Sequence, residues 1–439
     1  MAIVEHGRVS PAAVLGAARL GGTPCYLYDA AEIVERCRRV LAMPHAFGLE
    51  VRYAIKANSS RALLELIAAQ GLGLDVSSLN DARRGRLGGV PYARMMLTTQ
   101  DVPAGEERAA LEAMVATGLV YNACSLRQLD LIADFARGRG IRLAVRVNPG
   151  VGTGETVTRN TGDKYSSFGI HLSELEAAKE LIAARSLVVD HVHTHIGSGG
   201  DPELWRSNID RLLALVERHF PDAQVANLGG GFKEARMPGE TAADIQALGA
   251  YGRQRFLEFE RRTGRRLRMA VEPGTYLVAN AGYLVTRVLD KKWSGPDGFE
   301  FLVLDAGMEA NARPVLYGSR HPFYVISQSG ELLSSEFDLG HARGEVAPRV
   351  VSGRCCESGD SQTLDEQGRV VPRPMAEPEV GDFVVIGGAG AYCASMSLIN
   401  YNSYVQAPEV MLLEDGTLRV IRRPQTLEQM TANEVGSGG

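Results

Sequence analysis

Two tryptophans, six cysteines and an aromatic share of 6% are little for 439 residues, and none of the cysteines forms a CxxC pair. Cys25, Cys37, Cys124, Cys355, Cys356 and Cys393 therefore offer neither a disulfide framework nor a zinc-finger spacing, and they suit reduced thiols in a cytoplasm. Cys355 and Cys356 are neighbours, a spacing that rarely meets disulfide geometry. No apolar run approaches the ~20 residues that cross a bilayer. The opening MAIVEHGRVS lacks a basic segment followed by an apolar core, so no secretory signal is expected. A formal net charge of -5 gives no electrostatic reason to expect nucleic acid or an anionic membrane as partner. No GxGxxG follows the first strand-like run, which argues against an open dinucleotide-binding sheet.

What is present is an ordinary globular composition, 45% hydrophobic and 23% charged. The length accommodates a barrel of ~250 residues and a second domain. Apolar runs recur at regular spacing: VRYAIKA, LGLDVSS, RMMLTT, LVYNACS, RLAVRVN, DHVHTHIGS, QVANLGGG and RMAVEPGTY. Helical patterns rich in Ala, Leu, Glu and Arg separate them. Eight strands alternating with helices predict a (β/α)8 barrel over residues 33–286. After residue 286, short β-rich segments with Gly, Pro and Asp turns predict a β-domain over 287–439, which residues 1–32 join through the strand-like TPCYLYD.

A barrel of this kind carries its reactive groups at the strand ends. Lys56 lies in YAIKANSS. Alternation with Arg52 and Ala54 points it inward among apolar neighbours, where burial would lower its pKa and make the amine nucleophilic. A snorkelling structural lysine is the equal alternative. His191, His193 and His195 alternate in HVHTHIGSG and face one way on a regular strand. A zinc site built on them needs further His or Asp at later strand ends, and the other six histidines supply none; the flat ring of His195 suits stacking on a planar cofactor instead. Gly197-Ser198-Gly199 and Gly229-Gly230-Gly231 can bring backbone amides close to a phosphate, with a hydroxyl donor from Ser198, although glycines also simply make turns. Glu272 in VEPGTY ends the last barrel run, where a carboxylate can hold a pyridine nitrogen protonated, or merely cap or pair locally. Lysine, ring, phosphate cradle and ring-nitrogen partner together describe a pyridoxal 5'-phosphate site.

In its ordered motifs the chain resembles the fold-type III (alanine-racemase-like) pyridoxal-phosphate decarboxylases, most of all those acting on diaminopimelate. These motifs are YAIKAN, RVNPG, HTHIGSG, GGGF, EPG, LDAGMEANARPVLYG, CESGD and GAY. The resemblance implies a soluble homodimer with active sites shared at the interface and meso-diaminopimelate as the amino-acid substrate, converted to L-lysine. It implies that CESGD comes from the partner subunit, with Cys356 returning a proton to the substrate carbon and Glu357 binding substrate. It also implies Arg313, Tyr317 and Tyr392 as substrate ligands. Tyr392 would reach the cofactor phosphate too, and Gly274 and Thr275 would line the cofactor pocket. Three positions depart from the family: Thr275 follows EPG in place of arginine, Ser167 replaces the lysine of SKFG, and Tyr404 replaces the arginine of NYNSR. With those cations neutral, a sister decarboxylase of ornithine, lysine, arginine or a carboxynorspermidine-like amine is the nearest alternative. An amino-acid racemase, a non-catalytic partner-binding homologue and a zinc hydrolase follow.

Overall fold

The computed structural model describes residues 4–5, 8–150, 164–197 and 201–436. By its internal contacts the chain divides into two compact units. One comprises residues 34–234 and 241–277, and the other residues 1–33, 235–240 and 278–439.

The first unit is the expected barrel. Its strands are β1 (Leu49–Ala54), β2 (Gly73–Val76), β3 (Met95–Thr98), β4 (Val120–Ala123), β5 (Arg142–Asn148), β6 (Val188–His193), β7 (Val225–Asn227) and β8 (Arg268–Val271). Each pairs in parallel with the next, β8 returns to β1, and so the sheet closes without an edge. Burial on both faces explains why these strands read as near-continuous apolar runs: all four residues of β2 and all three of β7 are buried. The intervening helices are begun by side-chain caps, as at Ser78, Ser125 and Asp244, each of which accepts a backbone N–H from the first turn.

The second unit is built on antiparallel sheet. Its long strand β9 (Gly282–Trp293) pairs with β10 (Glu300–Leu304), with β13 (Phe383–Ile386) and with the N-terminal strand Cys25–Asp29, which therefore belongs to this sheet as TPCYLYD suggests. β11 (Phe323–Ile326) extends it beside β13, and β12 (Val346–Ser352) lies beside β10. Alternate residues Tyr283 and Val285, Tyr324 and Ile326, and Phe383 and Val385 share one buried cluster, which the helix Pro11–Gly21 caps with Ala13, Val14 and Ala17. Among the described residues no helix is long and apolar enough to cross a membrane.

Candidate active site in the barrel

Lys56 differs from the sequence expectation. β1 ends at Ala54, and Ile55–Ala57 wind into a 3-10 turn held by the Tyr53 hydroxyl, which donates to the Asn58 carbonyl at 2.9 Å. Side-chain alternation stops there, so Lys56 is exposed rather than buried among apolar groups. Its neighbourhood is ionic: its charge favours ionisation of Asp75 and Glu272 and disfavours protonation of His193 and His195. The EPG segment packs on this turn. Ala54 N donates to the Pro273 carbonyl at 3.1 Å, and a Cβ on Gly274 would stand 3.2 Å from those of Ala54 and Ala57.

Glu272 follows β8 and is buried. Asn227 donates to its Oε1 at 2.6 Å, and its Oε2 lies 3.4 Å from His193 Nε2. Burial pushes this carboxyl up, opposed first by the Asn227 bond and then by Arg52, Arg146 and Lys56. Asp75, on β2, is raised in turn by burial and by the charge of Glu272.

The three histidines have different neighbours. His191 Nδ1 lies 2.6 Å from Asp190 Oδ1, and His193 Nδ1 lies 2.7 Å from the donor nitrogen of Asn122. The His193 and His195 rings face each other at 6.4 Å between centroids and 22° between planes. Desolvation, then Arg146 and Lys56, hold both imidazoles well below the usual histidine range, so each is a neutral flat ring at neutral pH.

The glycine run forms a cradle in which side chains have no room. A Cβ on Gly229 would meet His195 Nδ1 at 2.7 Å, one on Gly230 the Glu272 carbonyl oxygen at 2.6 Å, and one on Gly231 the Gly197 carbonyl oxygen at 2.4 Å. Gly229 and Gly231 also have φ of +69° and +96°. Backbone from three successive strand ends is thereby brought together, as phosphate binding by amides requires. Ser198 lies outside the described residues. Asp75 Oδ1 and Arg146 Nη2 are buried here with no hydrogen-bond partner among the described residues, which marks a site made for a polar group. The barrel thus fits pyridoxal phosphate: an amine, a neutral ring, an amide cradle and a buried carboxylate gather at one end.

Sequence reasoning missed Asp75, Asn122 and Asn227, and gave Arg146 no role. Their signal is a polar residue inside an otherwise apolar barrel strand, as in LDV, VYNA, VAN and RVN.

In the second unit Arg313 is buried at the start of the helix Arg313–Tyr317, donates to Ser319 Oγ at 3.2 Å and lies 5.9 Å from the Tyr392 ring centroid. Tyr317 is partly buried, its hydroxyl 3.9 Å from Met396 Sδ. Tyr392 has a left-handed φ of +59°, a conformation costly for an aromatic residue. Cys356 and Glu357 are exposed on the turn after β12, and the Glu357 carboxylate accepts from Gly359 N at 3.4 Å and from the Tyr401 hydroxyl at 3.0 Å, which hold its pKa down. Of the departing positions, Ser167 is exposed and accepts from Gln100 at 3.2 Å, and Thr275 opens the short helix Thr275–Val278.

Residues 30–279 match the model of the pyridoxal-dependent decarboxylase family's pyridoxal-binding domain. The chain is 34% identical to the diaminopimelate decarboxylase of Escherichia coli K12 over 417 residues, 94% of each protein. A crystal structure of diaminopimelate decarboxylase superposes with a TM-score of 0.86 at 32% identity, covering 95% of both chains. The diaminopimelate decarboxylase of Helicobacter pylori, complexed with L-lysine, superposes with a TM-score of 0.75 at 27% identity, covering 93% of this chain and 96% of that one.

Proposed function

The chain belongs to the pyridoxal-dependent decarboxylases, and from that premise we propose that it converts meso-2,6-diaminopimelate to L-lysine. The observation that carries the reading is the glycine cradle packed directly against buried Glu272 at the barrel's strand ends. When bound, pyridoxal phosphate supplies a conjugated ring that accepts the electrons of the bond to the departing carboxylate.

Lys56 would hold the cofactor covalently through its amine. The amides of Gly230 and Gly231 would receive the phosphate in the cradle that Gly229 shapes, its own N–H donating to Asn227 Oδ1 at 3.0 Å, with Ser198 and Tyr392 as further ligands, and Gly274 and Thr275 would line the same pocket. His195, neutral and flat, would stack on the cofactor ring. Glu272, whose ionised form Asn227, Arg52 and Arg146 favour against its burial, would hold the proton on the ring nitrogen. Cys356 returns a proton to the carbon that has lost its carboxylate, and Glu357, anionic at neutral pH, receives the substrate's distal amine. Arg313 binds the distal carboxylate through its planar fork, with a hydrogen bond from Tyr317. Two protomers share each site, the turn carrying Cys356 and Glu357 being offered by one to the other.

The test is carbon dioxide release by purified protein supplied with the cofactor, offered diaminopimelate isomers, both lysine enantiomers, ornithine and arginine. meso-Diaminopimelate should lead by kcat/KM. A preference for lysine or ornithine would overturn the substrate while leaving a pyridoxal-dependent decarboxylase.

A further inference from the structure

Position 404 carries tyrosine where the resemblance has arginine, yet a guanidinium lies against it. The Arg354 guanidinium carbon stands 3.9 Å from the Tyr404 ring centroid, and the Tyr404 hydroxyl donates to the Arg354 carbonyl at 3.2 Å. Arg354 Nε donates to Glu309 Oε1 at 3.0 Å. Glu309 is itself fixed, its other oxygen accepting from Gly307 N at 2.8 Å and from the Cys355 thiol at 3.3 Å. One face and one edge of the guanidinium are thus occupied. Its two terminal nitrogens make no hydrogen bond among the described residues, and the side chain retains 19% exposure. A guanidinium held flat with its fork free is preorganised for a carboxylate.

Arg354 also sits on the turn that presents Cys356 and Glu357. Asn402 Oδ1 accepts from Cys356 N at 2.8 Å, and the Tyr401 hydroxyl donates to Glu357 Oε2 at 3.0 Å. The bracket making these bonds is strained: Asn400, Asn402 and Ser403 have φ of +68°, +51° and +60°. Left-handed backbone at three non-glycine positions persists only where surrounding structure enforces it, commonly at functional sites.

On the reading that the substrate is diaminopimelate, we infer that Arg354 is a specificity-determining residue: it binds the carboxylate the substrate keeps, on the carbon whose amine Glu357 receives. That carbon bears an amine and a carboxylate together, and one turn offers an anion and a cation three residues apart. A cation belongs at the retained group. Paired with the departing carboxylate it would stabilise the ground state, where charge is greatest, and slow the reaction. On the shared-site reading Arg354 arrives with Glu357 from the partner subunit and joins Arg313 as a second cation at the retained carboxylate, so the cation absent at 404 is supplied from 354.

The experiment compares meso-diaminopimelate with D-lysine, which has the same reacting centre and no distal carboxylate, and measures inhibition by L-lysine, the product that keeps that carboxylate. Arg354→Gln should lower the ratio of kcat/KM for diaminopimelate over D-lysine roughly 100-fold and raise the inhibition constant of L-lysine comparably. Arg354→Lys should recover part of both. Tyr404→Phe, which keeps the ring, should hold the ratio near wild type, and Tyr404→Leu should lower it. An unchanged ratio in Arg354→Gln, or an equal fall for both substrates, would overturn the assignment while a wild-type preference for diaminopimelate leaves the substrate standing. A wild-type preference for D-lysine would overturn both.

Discussion

Asn227 Nδ2 donates a 2.6 Å hydrogen bond to Glu272 Oε1 from the neighbouring strand, and both side chains are buried. This bond favours the ionised carboxylate against a desolvation that disfavours it. Asn227→Ala therefore raises the Glu272 pKa further, and the acid limb of the kcat–pH profile moves to higher pH. At neutral pH kcat should fall roughly tenfold, the scale of a lost hydrogen bond to a charged group. Glu272→Gln should still bind cofactor but lose about 100-fold or more in kcat. An acid limb that stays in place in Asn227→Ala would assign the titration to another group.

Lys56 is exposed, and its charge favours the ionised forms of the buried Asp75 and Glu272 carboxyls. Lys56→Ala should abolish turnover while the protein still folds, with a lower Tm at neutral pH in the cofactor-free protein as those carboxylates lose a compensating cation. Borohydride treatment of the holoenzyme should leave the cofactor on the peptide that holds Lys56. Recovery on another lysine peptide would refute the assignment.

Asp75 and Glu272 both have carboxyls raised by burial, the largest cause for each. A carboxyl raised in the folded state contributes stability that is full below its unfolded pKa of about 4 and is lost as pH rises through its folded value. Asp75→Asn removes one such group and the repulsion between the two. In cofactor-free protein the variant should gain stability relative to wild type as pH rises from about 4, seen as a widening difference in Tm. A constant difference would mean that the two carboxylates are compensated throughout that range.

The proposed sharing of sites between two protomers is open to complementation. Lys56→Ala and Cys356→Ala proteins should each be inactive. Mixed under conditions of proven subunit exchange, they should recover activity, since a heterodimer has one site lacking both groups and one lacking neither. No recovery would place both groups in the site of one chain.

Arg313 is buried and bonded to Ser319, so Arg313→Ala requires a melting control. With the fold intact, kcat/KM for diaminopimelate should drop several hundredfold or more, corresponding to about 3–5 kcal/mol for a buried charge left without its partner. A loss under about tenfold would remove Arg313 from the substrate clamp.

The barrel was legible because closure buries both faces of each strand, and burial writes itself as eight apolar runs at even spacing. The N-terminal strand was legible for the same reason: every residue of Cys25–Asp29 is buried. Lys56 was misread because alternation was carried two residues past Ala54, where the backbone leaves the extended conformation. Asn227 and Asp75 passed unnoticed because one polar residue barely disturbs an apolar run, although its desolvation cost is itself the signal of a partner. The Arg354–Tyr404 stack joins residues fifty positions apart, and no local pattern reports such a contact. Only the loss of arginine at 404 hinted that its charge had moved.

Cys355 and Cys356 are adjacent in sequence and opposite in accessibility, and all the other cysteines are buried. Desolvation pushes Cys25 and Cys37 up to about 12 and Cys124 and Cys393 up to about 11, while burial and the carboxylates of Glu309 and Asp360 raise Cys355 as well. Reagents that attack thiolates consequently meet one open target in six. Iodoacetamide uptake by the native protein counts molecules by a single sulfur, without mutagenesis. Since the proposed reading places that sulfur on the turn offered to substrate, its rate of alkylation should gauge occupancy, slowing as diaminopimelate fills the site.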